Sequence, residues 1–247
     1  MQYFGTLETK YDEVFLTSSY LYFPKENETV TVTEIKAMIQ THKQRKNFIV
    51  GTVFFYNPYV APVGYDSNKF LLDQEFDAYG EMVELQIENT LTVFKNAIKN
   101  CEGKLIEFKN LFNLNEKNIN ASTLLMKFNA DLEKYNSNLN TEFERDIMYV
   151  DAQNYIPNGR FVFFAWGDKL NAKEFPYIFE YAKAIYDNSV KLGKKVAFAY
   201  KKERSLEFSV SLLQFSNPGE NLKFKNSITA SIKECFKKDT VEPISYE

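Results

Sequence analysis

Val53-Phe54-Phe55-Tyr56-Asn57-Pro58-Tyr59 is the stretch on which the reading of the fold turns. From Phe48 to Phe55 the chain is apolar at most positions, the signature of a strand covered on both faces, and it then stops at a polar residue and a proline. A strand that ends this way delivers its last polar side chain to the rim of a sheet, where ligands of open α/β folds bind. Two later segments end in unusual polar or aromatic residues as well, Leu105-Ile106-Glu107-Phe108-Lys109-Asn110 and Phe161-Val162-Phe163-Phe164-Ala165-Trp166-Gly167. Three such ends in register predict one site.

Working outward from that strand, Thr33-Glu34 opens a predicted helix through Arg45, with Thr33 as N-cap and Ile35, Met38 and Ile39 on its buried face. Its basic end, His42-Lys43-Gln44-Arg45-Lys46, reads as cations complementing a helix C-terminus rather than as a phosphate clamp. Residues 1–32 alternate apolar and polar side chains only in places, at Val14 and Leu16 and at Val30 and Val32, and predict irregular structure with short strands. Downstream, Val83, Ile87, Leu91, Phe94 and Ile98 fall on one helical face over residues 80–100, Gly103 ends that helix, and Lys104 to Phe108 forms the next strand. Strand, helix, strand is a βαβ unit with parallel strands. A helix within 122–150, a turn at Asn158-Gly159, a strand over 161–165, a helix from Ala172 to Leu192 closed by Gly193, and strands over 195–200 and 206–215 complete the pattern. The expected fold class is α/β: a three-layer α/β/α sandwich around a central, mainly parallel sheet. It forms a single domain over 1–247, with 1–45 an N-terminal elaboration of a core at 48–220.

Composition narrows the function classes. With 45% hydrophobic residues, 23 Phe and 16 Tyr the chain is not a disordered one, and a net charge of −3 excludes a strongly basic nucleic-acid coat. Any nucleic-acid contact must come from local patches. Cys101 and Cys235 lie far apart without CxxC or Cys/His spacing, so neither a disulfide framework nor a zinc site is indicated; no metal and no cofactor is expected. No window holds the roughly 18 uncharged apolar residues of a membrane span, and no secretory leader pattern is present, which predicts a cytoplasmic protein without membrane partners.

The order of the three segments resembles the uracil-DNA glycosylase superfamily, and the family of unknown function DUF1643. The glycosylases' water-activating motif reads Gly-Gln-Asp-Pro-Tyr-His in one branch and Gly-Ile-Asn-Pro-Gly in another, and Phe55-Tyr56-Asn57-Pro58-Tyr59-Val60 stands in its place. In the first branch a base-stacking phenylalanine follows the aspartate by thirteen residues, the spacing of Phe70 from Asn57. The base-reading Leu-Leu-Leu-Asn resembles Glu107-Phe108-Lys109-Asn110, and Leu-Leu-Trp-Gly resembles Phe164-Ala165-Trp166-Gly167. The DUF1643 pattern is matched more closely still, by Asn57-Pro58, Asn110-Leu111-Phe112 and Ala165-Trp166-Gly167. The resemblance spans about residues 48–220. It implies that Phe70 stacks on a flat base, Tyr59 crowds the ring's far edge, and Asn110 offers a donor and an acceptor to a pyrimidine edge.

The departures concern proton handling. The last glycosylase motif, His-Pro-Ser-Pro, has no counterpart; its place falls to Lys201-Lys202-Glu203-Arg204-Ser205 or to Ser216-Asn217-Pro218-Gly219, neither with histidine. The single histidine, His42, precedes the first motif. Asn57 replaces the aspartate, and an amide orients water without accepting its proton. Loss of one oxyanion donor costs roughly 2.7–4 kcal/mol of barrier. Asp66, with Asp73 and Asp77 nearby, is a candidate substitute base, against the commoner reading of solvated loop acids. Lys201, Lys202 and Arg204 follow a strand end and could meet phosphates. Asn217 is the candidate final-motif residue.

Each of these residues has a plainer reading. Asn57 could cap a turn and Asn110 a helix, while Phe70 and Tyr59 are by default core aromatics. Three functions compete: a DNA-, other nucleic-acid-, nucleobase- or nucleotide-binding protein with weak or absent glycosylase activity; an active hydrolase of another N-glycosidic or nucleotide substrate, with Asp66 as base; and a protein-interaction module whose pocket is filled.

Overall fold

The computed structural model describes residues 1–10, 13–45, 48–55, 60–65, 79–87, 91, 101–115, 121–136, 152–165 and 172–197. Among them, seven strands and three α-helices follow in the order β1 (Gln2–Lys10), β2 (Glu13–Phe23), α1 (Val32–Arg45), β3 (Ile49–Phe55), β4 (Tyr79–Leu85), β5 (Lys104–Asn110), α2 (Ala121–Asn136), β6 (Phe161–Ala165), α3 (Pro176–Lys191) and β7 (Lys195–Ala197). The strands form one sheet in the order β4-β1-β2-β5-β3-β6-β7. Pairings from β4 to β5 are antiparallel and those from β5 through β3 and β6 to β7 are parallel, so the sheet is mixed rather than mainly parallel.

The antiparallel half corrects the reading of residues 1–32. They hold two long paired strands, with Gln2 opposite Tyr22 and Lys10 opposite Glu13. These strands escape a search for alternation because neighbours such as Tyr3 and Phe4, or Leu21 and Tyr22, are buried on opposite faces. The helix expected over 80–100 is corrected in its first part. Residues 79–85 are an edge strand, held to β1 with Val83 opposite Gly5 and Leu85 opposite Tyr3, so cross-strand pairing overrides the helical spacing. Of the remaining positions on that face, Phe94 and Ile98 lie outside the described residues.

Local signals explain the helices. Thr31, not Thr33, caps α1: its hydroxyl accepts from the Glu34 amide at 3.3 Å, and the Glu34 carboxylate accepts from the Thr31 amide at 2.7 Å. Only Thr31 has a glutamate three residues on, which closes the reciprocal capping box. In α3, Pro176 begins the helix and its N-cap Phe175 has no capping side chain. Asn129 of α2 supplies the cap instead, its amide oxygen accepting from the Tyr177 and Ile178 amides at 3.0 and 3.3 Å. That bond ties α2 to α3.

On β5, Leu105, Glu107 and Lys109 face one side of the sheet and Ile106, Phe108 and Asn110 the other. Helix α1 covers the first side through Ile35, clustered with Tyr20, Tyr22, Ile49 and Leu105. Helix α3 covers the same side farther along, where Tyr186 packs on Phe164 and Phe164 stacks on Phe54. The opposite side is equally buried at Leu21, Val53, Ile106, Phe108 and Phe163.

Candidate functional site

The three strand ends singled out in the sequence are neighbours. Phe55, the last residue of β3, pairs with Asn110 at the end of β5 on one side and with Ala165 at the end of β6 on the other. Taken in chain order, the four parallel strands β3, β5, β6 and β7 lie 2-1-3-4 across the sheet. The order therefore reverses between β3 and β6, and the carboxyl ends of strands at such a reversal are where open α/β sheets hold ligands.

At this edge Asn110 is buried, 3% exposed. Its peptide is fixed on both sides: the Leu111 amide donates to Phe55 O at 2.9 Å, and the Tyr155 hydroxyl donates to Asn110 O. Its side-chain amide, in contrast, makes no hydrogen bond among the described residues, an uncommon state for a buried amide with two donors and an acceptor. On the same face, the half-buried ring of Phe55 stacks on Phe108 with centroids 5.1 Å apart and 28° between planes. The edge thus presents an amide without a side-chain hydrogen bond among the described residues, beside a fixed aromatic ring.

Tyr155 stands on the other face. Its ring meets Phe54 edge-on at 5.7 Å, and the Lys109 ammonium lies 5.4 Å from the ring centroid. Burial, reinforced by the nearby Glu107 charge, pushes the Tyr155 phenol well above its ordinary pKa, so the hydroxyl remains a donor. The Tyr20 phenol, opposite Glu107 on β2, is raised for the same reasons in the same order.

Beneath Tyr155 lies a polar cluster that the sequence did not announce. Glu107, 2% exposed, accepts from the Thr52 hydroxyl at 2.8 Å, the Asn158 amide at 3.1 Å and the Asn158 side chain at 2.6 Å, and pairs with Lys109 at 3.3 Å. Thr52 in turn accepts from the Gly159 amide at 2.9 Å, and Lys194 donates to Gly159 O at 2.9 Å. His42, 3% exposed, accepts through Nδ1 from the Phe48 and Ile49 amides, both at 3.0 Å. Nε2 therefore carries the proton and donates to Asn158 O at 3.3 Å. This corrects the reading of His42 as one of the cations that complement the helix C-terminus, since its ring is a buried fastener. The bonds from His42 Nε2, Glu107, Thr52 and Lys194 converge on the Asn158-Gly159 segment. A Cβ on Gly159 would come 2.2 Å from Gly51 C, so the turn crosses β3 in backbone contact that only glycine allows.

Of the predicted site residues, the structure places Asn110 at the edge. Asn57, Tyr59, Asp66, Phe70, Lys201, Lys202, Arg204 and Asn217 lie outside the described residues, as does Trp166-Gly167. Tyr155 and Glu107 carry contacts that went unread as chemistry; the visible signal was an acid in the middle of an apolar strand, followed much later by an Asn-Gly turn. Among the described residues no group of His, Cys, Asp and Glu side chains could hold a metal ion, and no helix is long and apolar enough to cross a membrane. Comparisons with family models, with curated proteins and with solved structures gave no match for this chain.

Proposed function

We propose that the chain is a nucleobase- or nucleic-acid-binding protein of uracil-DNA glycosylase-like, DUF1643-like fold, weak or inactive as a glycosylase and acting in the cytoplasm. The observation that carries the reading is the Asn110 side chain, buried at the carboxyl edge of β5 with its hydrogen-bonding groups unused among the described residues. A pyrimidine's carbonyl and imide edge is complementary to such an amide, and Phe55 adds apolar surface beside it. The 2-1-3-4 order of the parallel strands supports ligand binding at this edge.

Weak catalysis has its own support. The chain's only histidine is engaged through both ring nitrogens, Nδ1 by the Phe48 and Ile49 amides and Nε2 by Asn158 O, and none of these bonds lies at the edge at Asn110. An imidazole to stabilise a departing base is therefore missing from the described edge. The test combines strand scission of uracil-, hypoxanthine- and mismatch-containing oligonucleotides with a salt titration of binding to the same strands. Salt-dependent binding weakened by Asn110→Ala, with little scission, is the expected result. Efficient scission would replace this reading with an active hydrolase, and no binding of base or oligonucleotide would end it.

A further inference from the structure

The geometry points to Tyr155 as a positioning residue: through the bond from its hydroxyl to Asn110 O it sets the direction in which the Asn110 amide meets a base. This rests on the reading of Asn110 as the base-contacting group. A β-strand's last residue ordinarily frays, since beyond it the ladder stops supplying partners. Here the Asn110 peptide is held from both neighbours, by Phe55 through Leu111 and by Tyr155 from the segment that leads into β6.

Tyr155 is itself held at its ring and at its segment. Phe54 meets one side of the ring and the Lys109 ammonium a second, while Lys109 is anchored by Glu107. Three residues on, Asn158 bonds Glu107 through both its amide and its side chain. The segment from Tyr155 to Gly159 is therefore fastened to β5 at two points, one at Glu107 and one at the edge. The first immobilises the segment, and the second passes that order to Asn110. A hydroxyl from a separate part of the chain thus fixes the backbone of an amide that has no side-chain bond of its own among the described residues.

Tyr155→Phe keeps the ring contacts and removes only the hydroxyl. Two readouts on the full chain test the inference. The first is the NMR order parameter of the Asn110 side-chain NH2 without ligand; it is expected to fall in Tyr155→Phe while the amides of β3 and β6 keep theirs. The second is affinity for free uracil, expected to weaken by roughly fivefold, the factor of one net hydrogen bond, and to show no further loss when Tyr155→Phe is added to Asn110→Ala. An unchanged order parameter overturns the proposal. So does an equal loss of affinity with and without the Asn110 amide, because a merely structural role would act in both backgrounds. If the wild-type chain and Asn110→Ala bind uracil equally, base binding by Asn110 fails, and the order parameter alone decides whether Tyr155 positions the amide.

Discussion

Glu107 and Asn110 sit three residues apart on β5, on opposite faces, and are buried to the same degree, 2% and 3% exposed. Their partners could hardly differ more. The Glu107 carboxylate meets three donors and an ammonium, whereas the Asn110 side chain meets none among the described residues. Burial alone therefore does not separate a saturated polar group from one without a partner among the described residues. A saturated network specifies one packing, and an open group keeps its hydrogen-bonding capacity for something that arrives later.

The largest expected effect comes from the saturated side. Glu107→Ala leaves the Thr52 hydroxyl and the Asn158 side chain without their acceptor, at about 1–3 kcal/mol for each unsatisfied donor, and removes the partner of the part-exposed Lys109 ammonium. Urea denaturation should show that loss as a lower midpoint. A loss below about 1 kcal/mol would mean that the cluster is not what fastens the turn.

Gly159→Ala attacks the same fastening through shape. The added Cβ would lie 2.2 Å from Gly51 C and 2.5 Å from Thr52 N, backbone atoms that cannot rotate aside. Overpacking of this kind costs about 1–3 kcal/mol, and the thermal midpoint should fall by about 2–4 °C for each kcal/mol in a chain of this size.

How much of this was legible depended on whether local chemistry or a distant partner decides a residue's state. The end of β3 was readable because an apolar run meeting Asn-Pro is a local signal, and so were the Asn158-Gly159 turn and Gly193, whose φ of 72° suits glycine. The hairpin β1–β2 was not, because strands buried on both faces lack the two-residue alternation. Residues 79–85 misled because Val83 fits a helical stripe until its pairing with Gly5 of β1 is known. At the candidate site Asn110 could be named from its place at a strand end. Tyr155 could not: it lies 45 residues from Asn110 along the chain, and nothing local marks it as a partner. The roles of Glu107 and His42 likewise depend on the Asn158 turn folding onto them.

The buried titratable groups give a smaller effect that pH can read. Burial raises the Cys101 thiol from 9.0 to about 11, with Lys104 opposing the rise. A group whose folded pKa is raised stabilises the fold fully below its unfolded pKa and loses that contribution as pH climbs through the folded value. Stability should therefore start to fall near pH 9 and continue to about 11. The raised Tyr20 and Tyr155 phenols extend the decline above pH 10, where unfolded tyrosines ionise. Cys101→Ser should remove the first part of the slope and delay its onset to about pH 10 in denaturation series run at successive pH values. An unchanged onset would show that the thiol is not the first group to titrate.

The smallest effect on stability is expected at Asn110, and it is the most telling. Removing a buried polar side chain that has no partner among the described residues forfeits no hydrogen bond to them and relieves its desolvation cost. The small cavity left by Asn110→Ala offsets that relief, so the net change should stay within about 0.5 kcal/mol. If Asn110 contacts a base as proposed, the same substitution weakens base binding at least tenfold, since the ligand loses both its donor and its acceptor. Stability from urea denaturation and uracil affinity from calorimetry, measured on the same variant, place Asn110 against Glu107 directly. A destabilisation near that of Glu107→Ala would mean that the amide has a structural partner, and the contrast between the two faces of β5 would then collapse.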